Sequence, residues 1–255
     1  QSDSMLTSQD GGTYKFGTLD LNGSALSVKM AMSINEPLIL DAAGEQILTG
    51  TSGLTLNDSL AISAGKLSSQ SGLISFGSTA NLGTDGIIEI QDGTLQLSDN
   101  LSIEGGKFNL ADLAELNLNN DVSITSDRAL IFGTLEMNNR NLKVTTTEDA
   151  ELNIKKAFNL NNASNLQLNG TNLTFSETAA IAGILEPSGG TLTFQKGGSV
   201  SGTINSKNST LVLQTENLVY TGLLKTNSGT TLSGANLLNL SNGTLEVEGS
   251  INLDN

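Results

Sequence analysis

The sequence predicts an all-β protein that forms a single right-handed parallel β-solenoid, or β-helix, of about 12–13 coils, each about 19–20 residues long with about three short strands. Three observations lead to this fold class. An apolar-polar-apolar triplet returns along the whole chain, its spacing is close to one coil, and the segments between triplets carry no helical period. A chain with this pattern buries its apolar residues by stacking each coil on the one before it.

The triplets are the predicted strands. Two apolar residues separated by one polar residue place both apolar side chains on one face of a strand and the polar side chain on the other. We therefore expect a column of Leu, Ile, Val and Phe inside the solenoid and polar residues outside. The triplets follow one another at intervals of 16 to 21 residues, and their first apolar residues are Leu19, Leu38, Leu54, Ile74, Leu95, Leu116, Leu135, Leu152, Leu173, Leu192, Leu211, Leu232 and Ile251.

Each coil contains more than one triplet. The triplet at Leu54 and Leu56 is followed by a second at Leu60 and Ile62, and some coils add a third, such as the one that begins at Phe108. Helices are disfavoured because almost no segment places apolar residues at i, i+3, i+4 and i+7. An antiparallel sandwich is disfavoured because regular Asn-Gly or Asp-Gly hairpin turns are missing between the strands. A parallel solenoid with about three strands per coil satisfies the pattern.

The predicted corners are rich in Asn and Gly. Runs such as Met137-Asn138-Asn139-Arg140-Asn141 suit the left-handed backbone conformation that Asn and Gly tolerate. Asn amides at equivalent corners can also hydrogen-bond from one coil to the next.

The predicted solenoid domain covers residues 13–255 and follows a polar N-terminal arm at residues 1–12. Because the strand pattern continues to the last residues, we expect an open C-terminal coil, which is an unpaired sheet edge. Two interpretations of this edge stay open: the chain is an excerpt of a longer shaft, or subunits stack head to tail into a filament. The predicted assembly interface consists of Leu245, Val247, Ile251 and Leu253.

Composition excludes several classes of partner and chemistry. The net charge of -14, from 26 acidic and 12 basic residues, repels phosphate backbones, so we expect no nucleic-acid partner. No stretch approaches the roughly 20 apolar residues that a membrane helix needs, so we expect no membrane insertion. The chain contains neither His nor Cys, which excludes imidazole and thiol catalysis and the metal sites built on those groups. We expect no cofactor.

The tripeptide Gly-Thr-Leu opens several of the triplets. From about residue 13 onward, the chain resembles the β-helical shafts of bacterial surface proteins, such as autotransporter passengers and filamentous-haemagglutinin-type adhesins. The resemblance rests on this tripeptide and on the triplets. The resemblance implies a secreted, extracellular or bacterial cell-surface protein that serves as an adhesin shaft or as a filament subunit of the surface or biofilm matrix, and is not an enzyme. The tripeptide occurs at Gly17-Thr18-Leu19, Gly93-Thr94-Leu95, Gly133-Thr134-Leu135, Gly190-Thr191-Leu192 and Gly243-Thr244-Leu245.

A carbohydrate-active β-helix enzyme or glycan-binding module is the alternative, with a glycan or a host surface as its ligand. Asp85, Asp92 and Asp99 are the candidate calcium ligands, spaced seven residues apart. Because seven residues is about one side of a coil, we expect these carboxylates on successive corners, where solvent covers them. Glycoside hydrolysis needs neighbouring carboxylates, so no residue is assigned a catalytic role.

An ice-binding solenoid is the other alternative. Such a protein presents a flat, regular array of Thr, and Thr18, Thr94, Thr134, Thr191, Thr210 and Thr244 each precede a predicted core Leu. Other residues occupy the positions that the spacing makes equivalent in further coils, and two of them are charged. We therefore expect the array to be interrupted, at Gly53, Glu115, Glu151 and Asn172.

Overall fold

Parallel β-strands form all of the regular structure that the computed structural model describes, which covers residues 4–6, 14–16, 19, 21, 24–44, 46–147, 150–213, 218–234 and 239–252. The strands lie in stacked coils, so the predicted all-β parallel β-solenoid is confirmed. The chain divides into two compact units, Gln1–Arg128 (unit 1) and Ala129–Asn255 (unit 2). The right-handed sense of the coil stays a prediction.

Unit 1 contains strands of 3 to 18 residues. They are β1 (Ser4–Leu6), β2 (Tyr14–Phe16), β3 (Ala25–Val28), β4 (Met32–Ile34), β5 (Leu38–Leu40), β6 (Gln46–Thr49), β7 (Leu54–Leu56), β8 (Leu60–Ser69), β9 (Leu73–Phe76), β10 (Ala80–Leu97), β11 (Leu101–Ile103), β12 (Lys107–Leu118) and β13 (Val122–Ser126).

Three parallel ladders run through unit 1, one for each side of the coil. The first joins β1, β3 and β6 to segments of β8, β10 and β12. The second joins β2, β4, β7 and β9 to the last parts of β10 and β12. The third joins β5 to the first parts of β8 and β10, then β11 and β13. Strand β10 is long because it continues through two corners and contributes to all three ladders.

Unit 2 is built from shorter strands. They are β14 (Leu130–Phe132), β15 (Thr134–Glu136), β16 (Leu142–Thr146), β17 (Glu151–Ile154), β18 (Phe158–Leu160), β19 (Asn165–Asn169), β20 (Asn172–Phe175), β21 (Ala179–Ile181), β22 (Ile184–Ser188), β23 (Thr191–Phe194), β24 (Gly198–Val200), β25 (Thr203–Ser206), β26 (Thr210–Leu213), β27 (Leu218–Tyr220), β28 (Leu223–Thr226), β29 (Thr231–Gly234), β30 (Asn239–Leu240), β31 (Thr244–Val247) and β32 (Ser250–Asn252).

Unit 2 also has three parallel ladders. The first runs β16-β19-β22-β25-β28-β31. The second is a seven-stranded sheet in the order β14-β17-β20-β23-β26-β29-β32, and the third is a five-stranded sheet in the order β18-β21-β24-β27-β30. Neighbours in each ladder are separated by one coil of sequence, so each coil adds one strand to each side.

The core of each unit is the set of inward side chains of these ladders. Strands such as β19 and β23 alternate between buried apolar residues and partly exposed polar residues, as the triplets predict. In unit 2 the ring of Phe175 lies 5.2 Å from that of Phe158 and 5.1 Å from that of Phe194, measured between centroids. Burying each such side chain contributes about 1.5–3 kcal/mol, and each aromatic pair adds about 0.5–1.5 kcal/mol.

The structure explains the glycine in two of the Gly-Thr-Leu tripeptides. Gly93 and Gly190 have positive φ angles of 101° and 79°. A Cβ atom on either residue would lie 2.5 Å from a carbonyl oxygen of the previous coil, that of Gly72 or Thr171. Both glycines are therefore needed where the chain turns closely over the coil before it. The predicted left-handed corner is confirmed at Asn138 and Asn139, whose φ angles are 49° and 61°.

The structure corrects the predicted alignment of coils at two points. Leu38 was expected to stack on Leu54, but its ladder partner is Leu60. Leu152 was expected to follow Leu135, but it pairs with Leu130. The first apolar residues of the triplets therefore lie on more than one side of the coil. The shortest intervals between them occur where the series passes from one side of the coil to another.

The N-terminal segment carries ladder strands in its described part. Ser4–Leu6, inside the predicted polar arm, pairs with β3, and Tyr14–Phe16 pairs with β4. The rest of residues 1–12 lies outside the described residues, so the extent of the arm stays a prediction.

Candidate functional site

The candidate calcium ligands lie at three different corners of one coil in unit 1. Asp92 and Asp99 each accept a hydrogen bond from the following backbone N–H, at 2.8 and 2.7 Å, and Asp85 is exposed beside Ala64 in the ladder. The structure does not bring the three carboxylates together. Within the residues it describes, no three acidic side chains are grouped as a metal site would require.

The acidic residue between them, Glu89, belongs to an ion pair instead. Its carboxylate lies 2.5 Å from the Lys66 ammonium of the previous coil. The Lys66 hydrogen bond and charge, with the charge of Lys107, hold the pKa of Glu89 below its usual range against the opposing effect of desolvation. This pair joins neighbouring coils on the outside of unit 1.

The predicted assembly residues lie on the last described strands of unit 2. Leu245 and Val247 are on β31, Ile251 is on β32, and Leu253 lies outside the described residues. Within unit 2, β31 pairs with β28 alone among the strands that the structure describes. Val247 is 39% exposed, whereas its ladder partner Thr226 is fully buried.

A carboxylate held by three amides occupies the first ladder of unit 2. Glu186 accepts hydrogen bonds from Asn165 at 2.9 Å, from Gln167 at 2.8 Å and from Asn205 at 3.5 Å. These residues lie on adjacent coils, because outward positions stack in register along the ladder. The amide hydrogen bonds, chiefly that from Asn165, lower the pKa of Glu186 although partial burial opposes the shift.

An open groove of about 350 Å³ surrounds this carboxylate. Lys143 and Lys207 line the groove and form no ion pair within the described part of the chain. Glu186 is the one carboxylate among the described residues that line the groove. Glycoside hydrolysis needs a second carboxylate nearby, and these lining residues do not supply one. The amides, ammonium groups and carboxylate of the groove can hydrogen-bond to a polar ligand, and within the protein the amides and the carboxylate join four coils.

Replacing Glu186 with Gln is expected to lower the free energy of unfolding at pH 7 by on the order of 1 kcal/mol, after allowance for solvent screening. Because the folded-state pKa is below the unfolded value, the ionised carboxylate stabilises the fold above the unfolded pKa. This contribution disappears as pH falls through the folded pKa. Urea denaturation at several pH values should therefore show the wild type and the variant converging in acid.

A suitable control is Glu177→Gln, which removes an exposed carboxylate 2.6 Å from the Lys196 ammonium. This surface pair should contribute little to stability at either pH. Equal losses for the two variants at pH 7 would contradict the structural role of the amide-bound carboxylate.

The second ladder of unit 2 presents a row of small side chains, all polar except that of Val212, which we call the hydroxyl face. Its members point outward from β20, β23, β26, β29 and β32, in two columns that stack in register from coil to coil. The first column is Asn172, Thr191, Thr210, Thr231 and Ser250, and the second is Thr174, Thr193, Val212 and Ser233.

The hydroxyl face differs from the Thr array that spacing predicted. Thr191 and Thr210 belong to it, but Thr94 lies in unit 1 on β10, Thr244 lies on β31 of the first ladder, and Thr18 is outside the described residues.

Glu115, an expected interruption, pairs with Thr94 in unit 1. Gly53 also belongs to unit 1, and Glu151 precedes the first coil of the hydroxyl face. Asn172, the remaining expected interruption, lies on the face itself, where it occupies a position of the Thr column without a hydroxyl group.

Comparisons with known proteins add no relative. A scan against protein-family models, a search of curated proteins and a search of solved structures each found no match to this chain. Among the described residues, no helix has the length and apolar character that a membrane span requires.

Proposed function

We propose that the protein is a non-enzymatic, extracellular structural β-solenoid that serves as an adhesin shaft or as a filament subunit of a bacterial surface or matrix. The observation that carries this proposal is the in-register stacking of inward apolar residues within each unit. In unit 2, for example, Leu166, Leu185, Ile204 and Leu224 follow one another along one ladder, and each is fully buried.

This arrangement suits a structural role because each coil binds its neighbours through the same three ladders. Stability then accumulates coil by coil, and the chain resists separation of coils through many parallel hydrogen bonds at once. Outward positions are mostly uncharged amides and hydroxyls that also join coils, as in the bonds from Gln96 to Asn119 and from Asn227 to Asn205. The charges are dispersed over the surface, which favours solubility over a single charged binding site.

The outer edge of β31 supports the proposed coil-on-coil contact. A strand with one ladder partner offers unpaired N–H and C=O groups to a further strand. Half-buried Leu245 and partly exposed Val247 continue the inward column that Leu224 and Thr226 occupy one coil before. We propose that this edge receives another coil, supplied either by a longer chain or by a second copy.

Sedimentation velocity and electron microscopy test the contact with a second copy. Val247→Asp places a charge at the edge and should abolish end-to-end oligomers that the unaltered chain forms as its concentration rises. Val219→Asp is the matched control, because Val219 is an outward residue on β27 in the interior of a ladder. A chain that stays monomeric at every concentration, or equal effects of both variants, would contradict head-to-tail assembly.

Incubation with acidic and neutral polysaccharides tests the non-enzymatic assignment. The structural proposal predicts no release of reducing ends or unsaturated uronates. Turnover that is lost in Glu186→Gln would instead support a carbohydrate-active enzyme, with the groove as its site. Antibody to the folded chain should label the outside of intact producing cells if the protein is extracellular.

A further inference from the structure

The hydroxyl face is a two-dimensional lattice. Neighbouring coils in a parallel ladder lie about 4.8 Å apart, and outward residues two positions apart on a strand lie about 6.7 Å apart. Thr191 and Thr193 stand on β23, with Thr210 and Val212 beside them on β26. Val212 has the shape of Thr, so all four positions present a branched side chain with at least one methyl group.

The groups of this lattice are held in fixed positions. Branched side chains have few rotamers on a strand, and the register of the ladder fixes their backbone. Asn172 is fixed as well, because its side-chain oxygen accepts a 2.8 Å hydrogen bond from the Thr191 N–H. Thr231 and Ser250 bind each other at 3.3 Å.

Hydroxyl groups at the centre of the face are available to solvent. Those of Thr174, Thr191, Thr193 and Thr210 form no hydrogen bond within the part of the chain that the structure describes, and each residue is partly exposed. Every described residue of the hydroxyl face is uncharged, with Glu151 one coil before it. Water on this face therefore meets a regular array of hydroxyls and methyls without a strongly hydrated charge.

We infer that the hydroxyl face binds ice. Both lattice spacings are close to repeat distances in the prism plane of hexagonal ice, and a rigid array can hold water molecules at those repeats before they join the crystal. A single glycan chain fits less well, because sugar rings are commonly bound by aromatic stacking and the described outward residues of this face are aliphatic or small and polar. The inference is independent of the proposed structural function, since a shaft needs no ice-binding face.

Freezing-point hysteresis and inhibition of ice recrystallisation test the inference with the full 255-residue chain. The unaltered chain should separate melting and freezing temperatures and should shape ice crystals. Thr193→Tyr places a bulky ring at the centre of the lattice and should remove most of both activities. Thr203→Tyr is the matched control, because Thr203 is a partly exposed residue of β25 on the first ladder.

Circular-dichroism melts establish that each variant is folded, and Thr210→Tyr replaces Thr193→Tyr if the first variant is not. Absence of hysteresis and ice shaping in the unaltered chain would overturn the inference. Equal losses in the hydroxyl-face variant and Thr203→Tyr would also overturn it. Binding to insoluble cellulose or chitin without any effect on ice would assign the face to a polysaccharide surface instead.

Discussion

Replacing Leu173 with Asp is expected to lower the free energy of unfolding of unit 2 by about 4 kcal/mol or more. Leu173 is fully buried on β20, between Leu152 and Leu192 of the neighbouring coils. An Asp carboxylate at this position would lose its hydration among apolar side chains that offer it no hydrogen-bond donor. Urea denaturation followed by circular dichroism measures the loss.

Thr174→Asp is the matched control, one residue further along the same strand. Thr174 points outward, so its replacement should change the free energy of unfolding by no more than about 0.5 kcal/mol. The pair of variants tests the register directly. Equal destabilisation by both, or tolerance of Leu173→Asp, would mean that the inward and outward positions of β20 are wrongly assigned.

Replacing Tyr220 with Phe is expected to raise the free energy of unfolding by about 1–3 kcal/mol. Tyr220 is fully buried on β27, and its hydroxyl has no hydrogen-bond partner among the described residues. An unsatisfied buried hydroxyl costs its desolvation energy, whereas Phe keeps the ring and removes that cost. Thermal melts and urea denaturation of the two proteins measure the gain.

The gain from Tyr220→Phe should increase in alkali. Burial raises the pKa of the Tyr220 hydroxyl above its usual value, so the folded protein keeps the proton where the unfolded chain releases it. The wild type therefore loses stability as pH rises above about 10, and the variant lacks this contribution to the loss. The reverse change, Phe194→Tyr, should destabilise the protein. A lower stability of Tyr220→Phe at pH 7 would show that the hydroxyl has a stabilising partner.

The fold class could be predicted because the alternation within each triplet indicates which side chains point into the core. Leu54, Ile74, Leu95 and Leu116 are one coil apart in sequence, and the structure pairs them successively in one ladder. The alternation is a property of the strand alone, so it needs no knowledge of the neighbouring coil.

The alignment of coils was harder to predict because the sides of a coil resemble one another in sequence. A triplet six or seven residues away is as good a match as the true partner one coil away. The spacing therefore aligned Leu38 with Leu54, whereas its ladder partner is Leu60. It also aligned Leu152 with Leu135, whereas the ladder partner of Leu152 is Leu130. The length of a corner, which differs between coils, decides the side.

Both described surface features depend on that alignment. Sequence reasoning therefore missed the Glu186 site, and of the hydroxyl face it placed only Thr191 and Thr210 in the Thr array. The donors to Glu186 are two residues of the previous coil, Asn165 and Gln167, and one of the next, Asn205. The sequence feature that could have indicated the Glu186 site is the presence of polar residues at equivalent positions of three consecutive coils. Thr94 and Thr244 lie on other ladders than Thr191 and Thr210. The hydroxyl face can therefore be identified only from the pairing of strands in the structure.

The close passage of Gly93 and Gly190 over the preceding coil has a consequence for how such a chain can change in evolution. One inserted residue inside a strand would reverse inward and outward side chains up to the next corner, and it would also move the glycine away from the carbonyl oxygen that requires it. Duplication or deletion of a complete coil, from one glycine turn to the next, preserves both relations. Length variation among descendants of this gene should therefore occur in steps of whole coils, with smaller insertions confined to the corners.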